Sequence, residues 1–207
     1  MTSLTYARSA DLASASLPRL FAFTDPQRTP DPLALAQALG PGTGLILRHF
    51  GREDLKALAK PLAQAARRNR FALLIAADPA LAIRVKADGV HWPERLTGEI
   101  RRWRFKAPHL LVTASAHSPA ALRRAARLAD GVFLSPVFPS QSPSAGAPLG
   151  LIRAASMARQ AARPVFALGG VEIADLPALE ARGFYGAGAV EAFSSSISAA
   201  SPSRQVG

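Results

Sequence analysis

Proton chemistry in this 207-residue chain falls to few side chains, because it has four histidines and no cysteine. His117 is the best placed of them, two residues after Ser115 and just past the apolar run 109–116. An imidazole has an unperturbed pKa of about 6.5, so it gives and accepts protons near neutrality. The competing reading makes His117 part of a helix start, since Ser118-Pro119 follows it directly. His91 reads as a packed strand-end residue, His109 as structural, and His49 as open to either role. Two glycine pairs, Gly169-Gly170 and Gly186/Gly188, could turn backbone N–H groups toward a phosphate. The alternative is that they only ease tight turns or close packing. Without cysteine there are no disulfides, thiolate metal sites or thiol nucleophiles, which suits a reducing, cytoplasmic setting.

These residues need a frame, and the chain repeats one. The run 71–77 meets Asp78-Pro79 and an apolar stretch that closes on Ala87-Asp88-Gly89-Val90. The run 109–116 meets Ser118-Pro119 and an apolar-basic stretch that closes on Ala129-Asp130-Gly131-Val132. Each unit is strand, N-cap, proline at the first helical position, helix, glycine break, next strand. Eight strand-like runs are present, at 20–24, 44–50, 71–77, 89–92, 109–116, 131–138, 164–170 and 185–190. Helical stretches are expected at 31–39, 52–68, 79–87, 97–106, 119–129, 150–162 and 173–182. The fourth has the weakest apolar stripe.

Most of the strand runs are continuously apolar, as strands covered on both faces are. The fold class is therefore α/β, a single (β/α)8 TIM barrel over residues 17–193. Residues 1–16 are expected to be flexible and 194–207 a disordered tail. An open doubly wound sheet is disfavoured, because the first strand ends in Thr24-Asp25-Pro26 and no G-x-G-x-x-G follows it. In a barrel, chemistry sits at the C-terminal strand ends, and phosphate sites favour the last two units, where the glycine pairs lie. The Ser-, Pro- and Gly-rich segment 139–148 follows strand six on that same face.

The formal charge of +11 is uneven. Residues 51–127 hold sixteen basic and six acidic side chains, whereas 128–207 hold five of each. Arginines cluster at Arg67-Arg68-Arg70, Arg101-Arg102-Arg104 and Arg123-Arg124-Arg127. A basic face could bind phosphates, but no aromatic-rich strand accompanies it. Solvated helix faces are the preferred reading, and nucleic acid is not an expected partner. No apolar run has the length of a membrane span, and no signal peptide is apparent, so no membrane association is expected.

Taken in order, several segments resemble the thiamine-phosphate synthase/TenI family. They are Phe23-Thr24-Asp25, Ile46-Leu47-Arg48, the stretch 73–91, Ser115–Ser118, the stretch 129–142, Pro148-Leu149-Gly150, 166–171 and 186–193. The resemblance covers about residues 18–193. It implies a thiazole phosphate as the small-molecule partner, and it leaves a homo-oligomer open. It implies His117 as the catalytic group of the TenI branch, which isomerises a thiazole phosphate without a metal. It implies substrate contacts from Arg48, Ser115, Ser140 and Ser142, and phosphate contacts from Gly169, Gly170, Gly188 and Val190.

The chain departs from the synthase branch, which couples hydroxymethylpyrimidine diphosphate to the thiazole with magnesium. Its two acidic magnesium ligands correspond to Ala77 and Leu96 here, and its two diphosphate-gripping lysines to Phe50 and Pro143. Its phosphate-contacting serine corresponds to Glu191. A diphosphate leaving group needs a cation or metal aimed at its charge. Asp78, displaced by one residue, could partly substitute or could simply cap a helix. The favoured expectation is thus a metal-independent TenI-type isomerase without a cofactor. The alternatives are a genuine synthase, which alone would use magnesium, or a non-catalytic ligand- or partner-binding relative.

Overall fold

A computed structural model describes residues 17–29, 31–48, 55–140 and 146–189. The expected flexible segment 1–16, the tail 194–207, and Phe50, Ser142, Pro143, Val190 and Glu191 lie outside the described residues.

The eight strands close into one parallel barrel in sequence order. They are β1 Leu20–Phe23, β2 Thr43–Leu47, β3 Ala72–Ala76, β4 Gly89–Trp92, β5 Leu111–Ala116, β6 Gly131–Leu134, β7 Val165–Ala167 and β8 Gly186–Ala189. The closing pair, β8 with β1, is in register Leu20↔Ala187 and Phe21↔Gly188. Among the described residues seven helices cover the outside. They are α1 Pro32–Ala38, α2 Leu55–Asn69, α3 Pro79–Val85, α4 Glu99–Lys106, α5 Pro119–Ala126, α6 Leu151–Arg159 and α7 Leu176–Glu180. This is the single (β/α)8 barrel the repeat predicts.

Capped prolines set three of the helix starts. Asp31 accepts from the amides of Leu33 and Ala34, Asp78 from Leu81, and Ser118 from Ala121. Each proline supplies a fixed φ where no amide is needed, so strand-to-helix turns form at set points. α4 buries only Ile100, in keeping with its weak stripe.

Two layers of core result. Between barrel and helices the packing is alanine-rich, including Ala59, Ala63, Ala66, Ala121, Ala125, Ala154 and Ala155. Inside the barrel, Phe21, Phe23, Phe133 and Phe166 form a cluster with Ile46 and Leu74. Their rings pack edge-on (Phe21–Phe133 at 5.3 Å, Phe23–Phe133 at 4.9 Å), apart from Phe133 and Phe166, which stack at 4.8 Å. Aromatic pairs favour these edge-to-face and offset geometries. The barrel interior is filled, so a ligand is met at the strand ends.

The largest difference from the sequence expectation is β6, which stops at Leu134 rather than near 138. Pro136 has no N–H to continue the ladder. Beyond it the amides of Val137 and Phe138 donate to the carbonyls of Leu168 and Gly169, so this loop is stitched to the end of β7.

Candidate functional site

The mouth at the C-terminal strand ends is built from β1, β2, β4 and β5. The buried Thr24 hydroxyl accepts from the Arg48 amide at 2.9 Å, tying the end of β1 to that of β2. The Arg48 guanidinium donates to Asp25 Oδ2 at 3.0 Å and stands 5.9 Å from the centroid of the Phe23 ring. Arg28 reaches the same oxygen at 3.4 Å, while Asp25 Oδ1 accepts from the amides of Gln27 and Arg28. Burial alone would raise the pKa of the Asp25 carboxyl. The Gln27 amide and the Arg28 guanidinium and amide outweigh it, and the pKa lies below the usual value. Burial also lowers the Arg48 pKa, with Asp25 opposing. A guanidinium has so high a starting pKa that it stays charged. Arg48 is therefore a cation fixed in place before any ligand arrives.

His91 lies one layer below. Its Nδ1 meets Thr113 Oγ1 at 2.9 Å and its Nε2 meets Ser115 Oγ at 2.9 Å. The ring packs edge-on against Phe23 and Phe133 at 5.4 and 5.5 Å. Burial first, and then the charge of Arg48, push its pKa down to about 3. It is neutral near pH 7 and holds Ser115, as expected of a packed strand-end residue. Ser115 keeps hydroxyl capacity for a ligand, because a hydroxyl offers one donor and two acceptor positions.

His117, the expected proton carrier, belongs to a different constellation. Its Nδ1 lies 2.7 Å from Glu94 Oε2, and its own amide donates to that oxygen at 2.8 Å. Arg124 approaches Glu94 Oε1 at 3.6 Å. The imidazole is 51% exposed, with no partner for Nε2 among the described residues. A carboxylate on Nδ1 fixes the tautomer and the orientation of an imidazole, which leaves Nε2 facing outward as the reactive nitrogen. Glu94 escaped the sequence reading. The available signal was an acid two residues past β4, at the same barrel end as His117.

The remaining expected residues divide. Gly169 and Gly170 both have positive φ, 86° and 64°. A Cβ on Gly170 would meet Pro139 O at 2.2 Å, and one on Gly169 would meet Pro136 Cα at 2.8 Å. Their absent side chains let the β6 loop lie against the β7 loop. Neither glycine amide donates to a described backbone carbonyl, so both remain available to an anion. Gly188 lies within β8, where a Cβ would meet the Phe23 and Phe133 rings at 2.8 and 3.0 Å, which is a packing role. Ser140 is half-buried at the edge of the described β6 loop. Ser142 and Val190 lie outside the described residues.

Among the described residues, the positions that correspond to the synthase's magnesium ligands do not form a magnesium site. That ion takes oxygen donors in near-octahedral geometry. Ala77 and Leu96 offer none, Asp78 Oδ1 is engaged by the Leu81 amide at 2.8 Å, and Asp25 is engaged by two guanidiniums. Ala77 itself has a left-handed backbone, φ 56°.

With this geometry in hand, known proteins can be set beside the chain. Residues 20–193 match the family described as thiamine monophosphate synthase, TMP-TENI. A protein of Aquifex aeolicus named "Putative thiamine-phosphate synthase 2" is 31% identical over 183 residues, covering 86% of this chain and 98% of its own. The solved thiamine phosphate pyrophosphorylase of Pyrococcus furiosus superposes with a TM-score of 0.69 at 22% identity, covering 87% of this chain and 88% of that one. That of Bacteroides thetaiotaomicron gives 0.55 at 17% identity, covering 91% and 88%. At such identities these two structures speak for the fold alone.

Proposed function

Since this chain belongs to the thiamine monophosphate synthase (TMP-TENI) family, we propose that it binds a thiazole phosphate at the barrel mouth and isomerises its ring by proton transfer. The observation that supports this reading is the His117–Glu94 pair, 2.7 Å apart with the outer imidazole nitrogen free among the described residues. In the reaction Nε2 of His117 removes one proton from the ring, and Glu94 stabilises the resulting imidazolium. The same nitrogen returns the proton at a different ring position, so the double bond shifts and nothing else is gained or lost. Arg48 and the amides of Gly169 and Gly170 would offset the charge of the substrate phosphate, and Ser115 would contact the ring. No step needs a metal.

A positioned general base contributes about 10²- to 10⁴-fold to such a transfer. Isomerisation of the thiazole phosphate, followed by NMR, should fall by that factor in His117→Ala. It should fall less in Glu94→Gln, which keeps a hydrogen-bond acceptor for Nδ1 but loses the charge. An unchanged rate in His117→Ala refutes the reading.

One finding favours a second reading, thiamine-phosphate synthase. The Aquifex relative carries a synthase name and matches 86% of the chain. Under that reading Arg48 would be the principal described cation for the diphosphate. Magnesium-dependent release of pyrophosphate from hydroxymethylpyrimidine diphosphate and the thiazole phosphate would establish it. If neither reaction occurs and millimolar thiazole phosphate leaves the melting temperature unmoved, both enzymatic readings fail.

A further inference from the structure

Three side chains beneath the mouth, Thr113, His91 and Ser115, form a hydrogen-bonded row. Parallel pairing sets His91 of β4 opposite Thr113 of β5. Thr113 and Ser115 are two residues apart on one strand, so their side chains share a face of the sheet. The imidazole bridges them, with Nδ1 2.9 Å from Thr113 Oγ1 and Nε2 2.9 Å from Ser115 Oγ. Thr113 is fully buried, and among the described residues its hydroxyl has no other hydrogen-bond partner. Ser115 is only half-buried, so its free side meets whatever occupies the mouth.

A neutral imidazole carries its single proton on one nitrogen and a lone pair on the other. His91 is neutral near pH 7, because burial and then Arg48 hold its pKa down to about 3. Two arrangements of the row are therefore possible. With the proton on Nδ1, His91 donates to Thr113 Oγ1 and Ser115 donates to Nε2. The Thr113 proton then points at nothing, in a place bulk solvent does not reach. With the proton on Nε2, Thr113 donates to Nδ1 and His91 donates to Ser115 Oγ. Every donor inside the row then has an acceptor, and the Ser115 proton is left over at the outer end. A buried donor without an acceptor loses its hydration and gains nothing in return, so the second arrangement wins.

We propose that Thr113 is a specificity-determining positioning residue of the mouth, which holds His91 as the Nε2–H tautomer and so makes Ser115 a hydrogen-bond donor to the ligand. A ring that presents an acceptor takes the Ser115 proton. A ring with C–H at that place covers the proton without pairing it, and such a mismatch discriminates between otherwise similar ligands. A thiazole presents an acceptor in its ring nitrogen. The choice of a thiazole rests on the isomerase reading. The orientation of the row does not, since burial and hydrogen bonding in the free protein set it.

NMR of the histidine nitrogens in the full chain tests the row without a ligand, with His91→Gln assigning the signals. The expected spectrum has the His91 proton on Nε2, with the Nδ1 resonance displaced by a hydrogen bond. Thr113→Ser should preserve that signature and Thr113→Val should lose it, in proteins that a thermal melt shows to be folded. Calorimetry then compares a thiazole phosphate with the thiophene phosphate that has C–H in place of the ring nitrogen. Wild type and Thr113→Ser should prefer the thiazole by about tenfold, the worth of one hydrogen bond at the upper end of its range. The preference should shrink by about threefold or more in Thr113→Val, and to within about twofold of unity in Ser115→Ala. A proton on Nδ1 in wild type overturns the proposal, as does equal binding of the two phosphates or a preference undiminished in Thr113→Val. Binding of neither phosphate overturns the selectivity, whereas an unchanged isomerisation rate in His117→Ala sinks only the isomerase reading.

Discussion

Replacing His91 by glutamine turns a buried imidazole into a group that can still bond Thr113 and Ser115 but does not titrate. The folded-state pKa of His91 is about 3, depressed from 6.5 mainly by burial. Between those values the unfolded chain binds a proton that the folded chain refuses, so stability falls as the pH falls. The contribution is fully present above the unfolded value and is progressively lost toward pH 3. At pH 5 the gap to the unfolded value is one and a half units, worth about 2 kcal/mol at 1.36 kcal/mol per unit. A folded value one unit higher changes that figure little, because at pH 5 the folded imidazole would still be almost wholly neutral. Urea denaturation of both proteins at pH 8 and pH 5 measures the effect. Wild type should lose about 2 kcal/mol more than His91→Gln over this interval. Parallel losses in the two proteins would show that His91 is not held neutral by burial.

Further predictions concern backbone and caps. Gly170→Ala places a methyl against Pro139 O in a left-handed backbone and should destabilise by about 1–3 kcal/mol. Gly40→Ala, with nothing within 4 Å of the new methyl, should destabilise by far less in the same denaturation assay. Asp78→Ala removes the Leu81 cap and should lower stability by about 1 kcal/mol, whereas a magnesium-binding role would add a magnesium-dependent melting shift in wild type. Ala77→Asp should be tolerated in a thermal melt, because aspartate enters the left-handed region more readily than alanine. A large drop in melting temperature there would contradict that account.

The barrel was legible because its signals are local. Asp78-Pro79 and Ser118-Pro119 announce helix starts within four residues, and 89–92 is a strand with the bounds the sequence predicts. The end of β6 was not, since the apolar run continues through Val137 and Phe138. What stops the strand is a proline amide that is missing and carbonyls just past β7 that lie 31 residues downstream of the donors. The site was half legible. His117 and Ser115 stand out by type and place, yet Ser115 is held by His91 and His117 by Glu94, partners 24 and 23 residues away. The pairing of charges was hidden for the same reason. Composition counts charges along the chain, but the pairing of Glu99 with Arg102 and of Asp130 with Arg104 exists only in the folded molecule.

The phenylalanine cluster has a consequence for how this interior can vary. Each ring occupies room ceded by a glycine: Phe21 over Gly44, Phe166 over Gly131 and Phe23 over Gly188 on neighbouring strands, and Phe133 over Gly188 from two strands away. A methyl at Gly44 would sit 2.2 Å from the Phe21 ring. Change at these places should therefore arrive in matched pairs. A larger residue at one position is tolerated only when its opposite number has been trimmed, so a double substitution should do less harm than the sum of its halves.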